Sequence, residues 1–166
     1  LIPVEVFKAS LSPTAFETNH FVQFLISLFG FEVTSQLVSR YFIATSKYWN
    51  GATVFWQIDK FNKVRTGKIM LLNSQTGKRV KKPFPHINWV HKVLNIVDFN
   101  LKQCLFGEHL INETSEDKTI ALVESEKTAI TMSLFLKNYT WIATGSKQNL
   151  KYELLLPIKK FRIVLF

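Results

Sequence analysis

Apolar residues fall at helical spacing at Phe21, Phe24, Leu25 and Leu28, so Phe16 to Phe29 reads as a helix with Gly30 as its natural C-terminal stop. A second helix follows over Glu32 to Tyr41. The first twenty residues are weakly patterned: Pro3 and Pro13 limit early helices, and Ser12-Pro13 fits a cap followed by a first-turn proline. Between Tyr41 and Ile69 the preference turns to strand, with turns at Trp49-Asn50-Gly51 and Lys60-Phe61-Asn62. Ser74 to Gly77 is a further turn, Pro83 and Pro85 break regular pairing, and Trp89 to Leu94 reads as a short helix. After a polar connector over Asn112 to Lys118 the order is strand, helix, strand, a loop at Gly145, a short helix near Asn149 to Leu155, and a final strand. Strand–helix–strand order implies right-handed crossovers and a parallel sheet. The expected class is therefore α/β, with an α+β lobe over residues 1–112 followed by a parallel βαβ unit over 113–166.

Thr119 to Val123 has the composition of a strand covered on both faces, and Ala129 to Leu136 can follow it as a helix. Glu124 then stands at the strand's C-terminal end. In open α/β sheets ligands bind at that edge, which invites a metal or catalytic role for an acid placed there. The same acid also suits the positive end of a helix dipole, and the motif alone leaves both readings open.

The run Val123-Glu-Ser-Glu-Lys-Thr-Ala129 resembles the first motif of the Toprim domain of bacterial primases, type IA and II topoisomerases and some nucleases. Three upstream segments resemble the primase core in the same order: Asn19 to Ala44 with its glycine stop, the hairpin over Thr53 to Met70, and Cys104-Leu-Phe-Gly107. The chain is also similar to Toprim-like proteins of bacterial mobile elements, in which Phe-Gly-Glu-His-Leu recurs with the glutamate motif. The resemblance implies that the second lobe is a partial Toprim-like domain in a primase-like protein performing magnesium-dependent nucleotidyl transfer. Glu124 would be its catalytic residue and Mg²⁺ ligand. It departs from the primase pattern Glu-Gly-x-x-Asp, with Ser125 for the glycine and Thr128 for the aspartate, and this favours a non-catalytic DNA-binding accessory module as the alternative. A Toprim nuclease is the third reading. Family members carry a cysteine-rich zinc segment before the position of Leu1 and further acidic positions after a strand like Arg162 to Phe166. The sequence is accordingly read as a fragment with an incomplete magnesium site, inactive by itself.

Charge changes the picture more than composition does. Of 21 Lys and Arg residues, nine lie between Lys60 and Lys92 with no acid among them, while the remaining twelve are matched by all 12 acids. The whole excess of +9 thus sits in one segment, and a surface for phosphates is the simplest functional reading beside a merely solvated face. Arg65, Lys68, Lys78, Arg79, Lys81 and Lys82 are the expected nucleic-acid contacts there, with Lys127 and Lys147 near Glu124. The basic lobe, about 45–92, is expected to hold single-stranded DNA or a DNA/RNA hybrid beside Glu124. Nucleotides and a replicative helicase are the other partners that the resemblance implies.

Thr144-Gly-Ser-Lys147 resembles the glycine-containing loop after the second Toprim strand; turn geometry explains Gly145 equally well. Neither Thr66-Gly-Lys68 nor Thr76-Gly-Lys78 has the earlier glycine or the following Ser/Thr of a P-loop. His86, His91, Cys104 and His109 are zinc-type donors at a spacing that matches no finger. Tyr48, Trp49 and Trp56 could stack on bases, against a default of core packing. The single cysteine and the lack of a secretory signal fit a cytoplasmic setting. No uninterrupted apolar run reaches the ~18 residues of a membrane span, so no membrane partner is expected.

Overall fold

The computed structural model describes residues 1–166, the side chain of Ala15 excepted. In chain order the first elements are α1 (Val4–Ser10), α2 (Ala15–Thr18), α3 (His20–Tyr41), β1 (Ala44–Ser46), β2 (Ala52–Ile58), β3 (Val64–Met70), β4 (Ile87–Trp89) and α4 (Val90–Val93). After a 3-10 turn over Glu108–Glu113 come β5 (Thr119–Val123), α5 (Glu126–Phe135) and β6 (Tyr139–Ala143). Two further 3-10 turns, Lys147–Asn149 and Leu156–Ile158, flank α6 (Tyr152–Leu155) before β7 (Ile163–Leu165). The chain divides into two compact units, residues 1–56 with 66–100, and residues 57–65 with 101–166. Residues 101–112, read from the sequence as the end of the first lobe, fold with the second unit because Leu105 and Ile111 join its core.

In the first unit the strands lie in the order β1-β2-β3-β4, with Ala44 opposite Val54 and Lys68 opposite Trp89 in antiparallel pairs. β2 is buried at every position, so both of its faces are covered. Phe55 meets Phe21 of α3 edge-on at 5.6 Å, and Trp56 meets Phe7 of α1 at the same distance and donates its indole N–H to Ser10 Oγ at 3.1 Å. Trp56 is therefore core, not a stacking surface. It also explains Gly67 on β3, where any Cβ would come within 2.7 Å of the Trp56 ring.

A buried asparagine locks the start of α3. Asn19 Oδ1 accepts from the N–H groups of Phe21 and Val22 and from Thr53 Oγ1, while Nδ2 donates to Ala44 O and Thr45 Oγ1. One side chain thus caps the helix and ties it to β1 and β2 with its hydrogen bonds satisfied. α3 is 22 residues long and, by length and mean composition, apolar enough to cross a membrane, although polar residues interrupt its apolar run. Gly30, at φ 79° and ψ 170°, interrupts it where the sequence placed a helix stop. Each straight part is then about 15 Å long, half of a bilayer's hydrocarbon core.

The second unit is built on a parallel sheet in the order β6-β5-β7, with Val123 beside Ala143 and Leu122 beside Leu165. Mixed helix and strand with this parallel sheet make the chain an α/β protein. Ile120, Leu122 and Ile142 point to one face and pack with Leu105, Ile111, Ile158 and Phe161. α5 contacts β5 and β6 and buries Ala129 and Ile130. β5 leads through α5 to β6 on one side, and the chain then returns past β5 to place β7 on the other. That reversal makes the carboxyl ends of β5 and β7 a topological switch point, where open α/β sheets form ligand crevices.

Candidate functional site

Alternation along β5 sends Ile120 and Leu122 into one core, and the apolar run ends at Val123. The next residue, Glu124, is exposed at the carboxyl edge. Its carboxylate makes no hydrogen bond or ion pair among the described residues. The backbone on either side is held firmly: Thr144 N–H donates to Val123 O at 2.9 Å and Gly145 N–H to Glu124 O at 2.8 Å. The β5 end and the Thr144–Lys147 loop therefore run side by side. Gly145, at φ 77°, makes the turn, Thr144 Oγ1 donates to Ser146 O, and Asn149 Nδ2 donates to Thr144 O. Lys147 stands exposed at the loop's end. Glu126, two residues beyond Glu124, is the buried acid of this corner, at the first turn of α5.

The structure thus brings Glu124 and the Gly145 loop together. Lys127 is half-buried in the first turn of α5. Glu124 offers a single protein donor, so a magnesium ion at this edge would be held mainly by water and substrate phosphates. No group of three His, Cys, Asp or Glu side chains that could hold a metal occurs among the described residues. The zinc-type donors are separately employed: His91 Nδ1 hydrogen-bonds Thr66 Oγ1 at 2.8 Å, His86 stacks on Phe84, and Cys104 is a buried thiol whose pKa burial pushes far up.

The basic segment splits into two kinds of charge. Arg65 is not free for phosphate: its Nε donates to Asp59 Oδ2 at 2.6 Å, and its Nη2 lies 2.5 Å from the same oxygen. Asp59 Oδ1 accepts from the N–H groups of Phe61 and Lys63, closing the β2–β3 turn. Burial alone would raise the Asp59 pKa, but the Lys63 N–H, the Arg65 guanidinium and the Phe61 N–H together hold it below the ordinary value. Lys68 is buried, with its ammonium 5.8 Å from the centre of the Trp89 ring. Both residues, expected from the sequence to hold nucleic acid, have contacts within the fold. Lys78, Arg79, Lys81 and Lys82 are exposed, and their charged groups make no ion pair among the described residues.

Sequence reasoning passed over Glu108. It is almost fully buried, and its two oxygens accept from Lys60 N–H at 3.0 Å and Leu105 N–H at 3.2 Å. Asn112 Nδ2 donates to Lys60 O beside it. Burial pushes the Glu108 carboxyl above its ordinary range despite those two donors. The Phe-Gly-Glu-His segment thereby grips the turn between β2 and β3, while Phe106 exchanges two backbone hydrogen bonds with Ala143 at the edge of β6. Gly107, at φ 81°, precedes the 3-10 turn that aims Glu108 inward.

A cleft of about 490 Å³ in the first unit is lined largely by hydroxyls, among them Ser10, Ser12, Thr45 and Ser46, with Lys47 as its one cation. None of the site residues expected from the sequence lines it. No curated protein and no solved structure matches the chain. Residues 19–166, beginning at the Asn19 cap and running through both the Glu108 anchor and the Glu124 edge, match the family described as Domain of unknown function (DUF6371), and the chain belongs to that family.

Proposed function

We propose that this chain is a primase-like nucleic-acid-binding module of the Toprim type, which contributes Glu124 to magnesium-dependent phosphoryl or nucleotidyl transfer in the protein that carries it. The observation that carries the reading is the unpartnered Glu124 carboxylate at the carboxyl edge of a parallel sheet, at its switch point and beside the Gly145 loop. Pairing that acid with a cation would have added at most about 1 kcal/mol of stability. Leaving it exposed on a rigid backbone suits a group that meets a ligand. Lys147 on the same edge supplies a positive charge for a phosphate. The chain's own share of a metal centre is a single carboxylate, so no reaction step is written through the ion.

A primer-synthesis assay with the full-length protein, single-stranded DNA, nucleotides and Mg²⁺ tests this. Glu124→Gln should lower product by at least about 100-fold, the low end for loss of a positioned acid–base group. No product from the unaltered protein, or undiminished product from the variant, would sink the catalytic assignment. A second reading, a non-catalytic DNA-binding accessory module, is favoured by Ser125 and Thr128 and by the one-carboxylate donor set. It expects salt-dependent binding with no product. Cleavage of DNA with Mg²⁺ and without nucleotides would instead indicate a nuclease.

A further inference from the structure

We infer that the loop over residues 78–86 and the Tyr48–Trp49 corner form a base-stacking site for single-stranded nucleic acid, with Phe84 as its platform. This deepens the nucleic-acid part of the proposed function and rests on it. The loop is closed at its base, because Val80 N–H donates to Leu71 O at 3.0 Å, His86 N–H to Val80 O at 3.2 Å and Leu71 N–H to His86 O at 3.1 Å. Between those ties, the five residues Lys81–Pro85 are all exposed. They present two cations and a phenyl ring flanked by Pro83 and Pro85, whose fixed φ angles limit the loop's freedom.

The Phe84 ring is half exposed, and one of its faces is already occupied. It stacks on His86 with centroids 4.3 Å apart and planes 21° from parallel, while His86 is itself 92% buried and meets Trp49 edge-on at 5.1 Å. Trp49 lies 6.5 Å from Phe84 and 4.6 Å from Tyr48, which is also about half exposed. Four rings are thus contiguous, and half of the Phe84 side chain remains open to solvent. Every nucleobase has a π-face that can occupy such a surface.

Charge selects the ligand. The four cations within residues 78–82 have no acid anywhere between Lys60 and Lys92 to offset them in sequence, and none of the four is ion-paired among the described residues. A run of phosphates with unstacked bases satisfies the cations and the ring together. A duplex satisfies only the cations, because its bases are already stacked on one another. Stacking therefore predicts preference for the single strand, which charge alone would not give.

Binding by the full chain should be measured by fluorescence anisotropy with a short oligo-thymidylate and with a blunt duplex of equal length, over a range of salt. The unaltered protein should prefer the single strand. Phe84→Ala should weaken that binding by roughly 5- to 150-fold while leaving duplex binding unchanged. Phe84→Trp should retain affinity and report contact through quenching of the new indole. Unchanged single-strand affinity in Phe84→Ala, or equal affinity for the duplex, would overturn the stacking site and leave nucleic-acid binding standing. No binding of either ligand would overturn the stacking site and the nucleic-acid reading together. Phe84-dependent binding in a protein whose Glu124→Gln variant makes product undiminished would confirm the stacking site and remove only the catalytic assignment.

Discussion

The turn over residues 59–65 and the loop over 78–85 belong to one basic stretch of sequence, yet they use their charges in opposite ways. In the turn, Asp59 accepts from two backbone N–H groups and pairs with Arg65, and Glu108 accepts from Lys60 N–H. In the loop, Lys78, Arg79, Lys81 and Lys82 stand in solvent beside a half-exposed phenyl ring. Charge in the turn orders backbone that would otherwise fray. Charge in the loop has no structural task within the described residues and is available to a ligand. A count of cations therefore overstates a binding surface wherever an acid just outside the count lies close in space.

The contrast is broken most severely by Glu108→Ala. Leu105 N–H and Lys60 N–H would each lose a carboxylate acceptor in a place where water has little access. The expected loss of folding stability is about 2–3 kcal/mol, with part of the gross loss offset because a buried charge no longer has to be desolvated. Chemical denaturation reads this directly, and a cost near zero would show that the turn does not depend on the carboxylate. Glu108→Gln sharpens the same point. Because the folded-state pKa of Glu108 is raised, the group binds a proton in the folded chain over a range where the unfolded chain has released it. Its contribution to stability accordingly falls as pH rises from about its ordinary value of 4.5 through the raised folded value. The Gln variant should lack that descending limb in a plot of Tm against pH.

Much of this is legible in sequence where the signal is local. Thr119–Val123 reads as a strand because its apolar run has the length of a doubly covered strand, and the observed β5 has the same ends. Gly30 breaks α3 because glycine tolerates the positive φ there. α5 starts at Glu126, three residues before the expected Ala129, because its polar first turn reads as loop. β4 is hidden by its neighbours: Pro83 and Pro85 suggest broken pairing, and Trp89 reads as the start of a helix that begins one residue later. Arg65 and Lys68 read as surface charges because a sequence does not show that β3 is covered on both faces from Thr66 onward. The Asp59 turn does carry a usable signal, since an aspartate opening a tight turn commonly bonds the backbone beyond it. Glu108 carries none, because its donor on Lys60 is 48 residues away.

Asp59→Asn tests the other half of the turn at smaller cost. An amide keeps one oxygen for the Phe61 and Lys63 N–H groups but loses the charge facing Arg65, so about 1–2 kcal/mol should be lost near neutral pH. The pH signature is opposite in sign to that of Glu108. With its folded pKa held below the ordinary 3.8, ionised Asp59 stabilises the chain above that value, and the contribution disappears as pH falls through the folded pKa. Asp59→Asn should therefore flatten the acid limb of the stability profile. If acid sensitivity persists at full size, the turn is held by something other than this carboxylate.

The smallest stability effect belongs to the loop. Replacing Lys81 and Lys82 together by glutamate removes no described hydrogen bond or ion pair, so unfolding free energy should change by no more than about 0.5 kcal/mol. Binding should respond in the reverse proportion. If both lysines neutralise phosphates on a single strand, the slope of log affinity against log salt should become shallower by about 0.7 for each phosphate left without its cation. The same double substitution thus separates the two regions by two readouts, with stability nearly unchanged and salt dependence clearly reduced. A stability loss comparable to that of Glu108→Ala would mean that the loop's charges are structural after all, and the distinction between committed and idle cations would collapse.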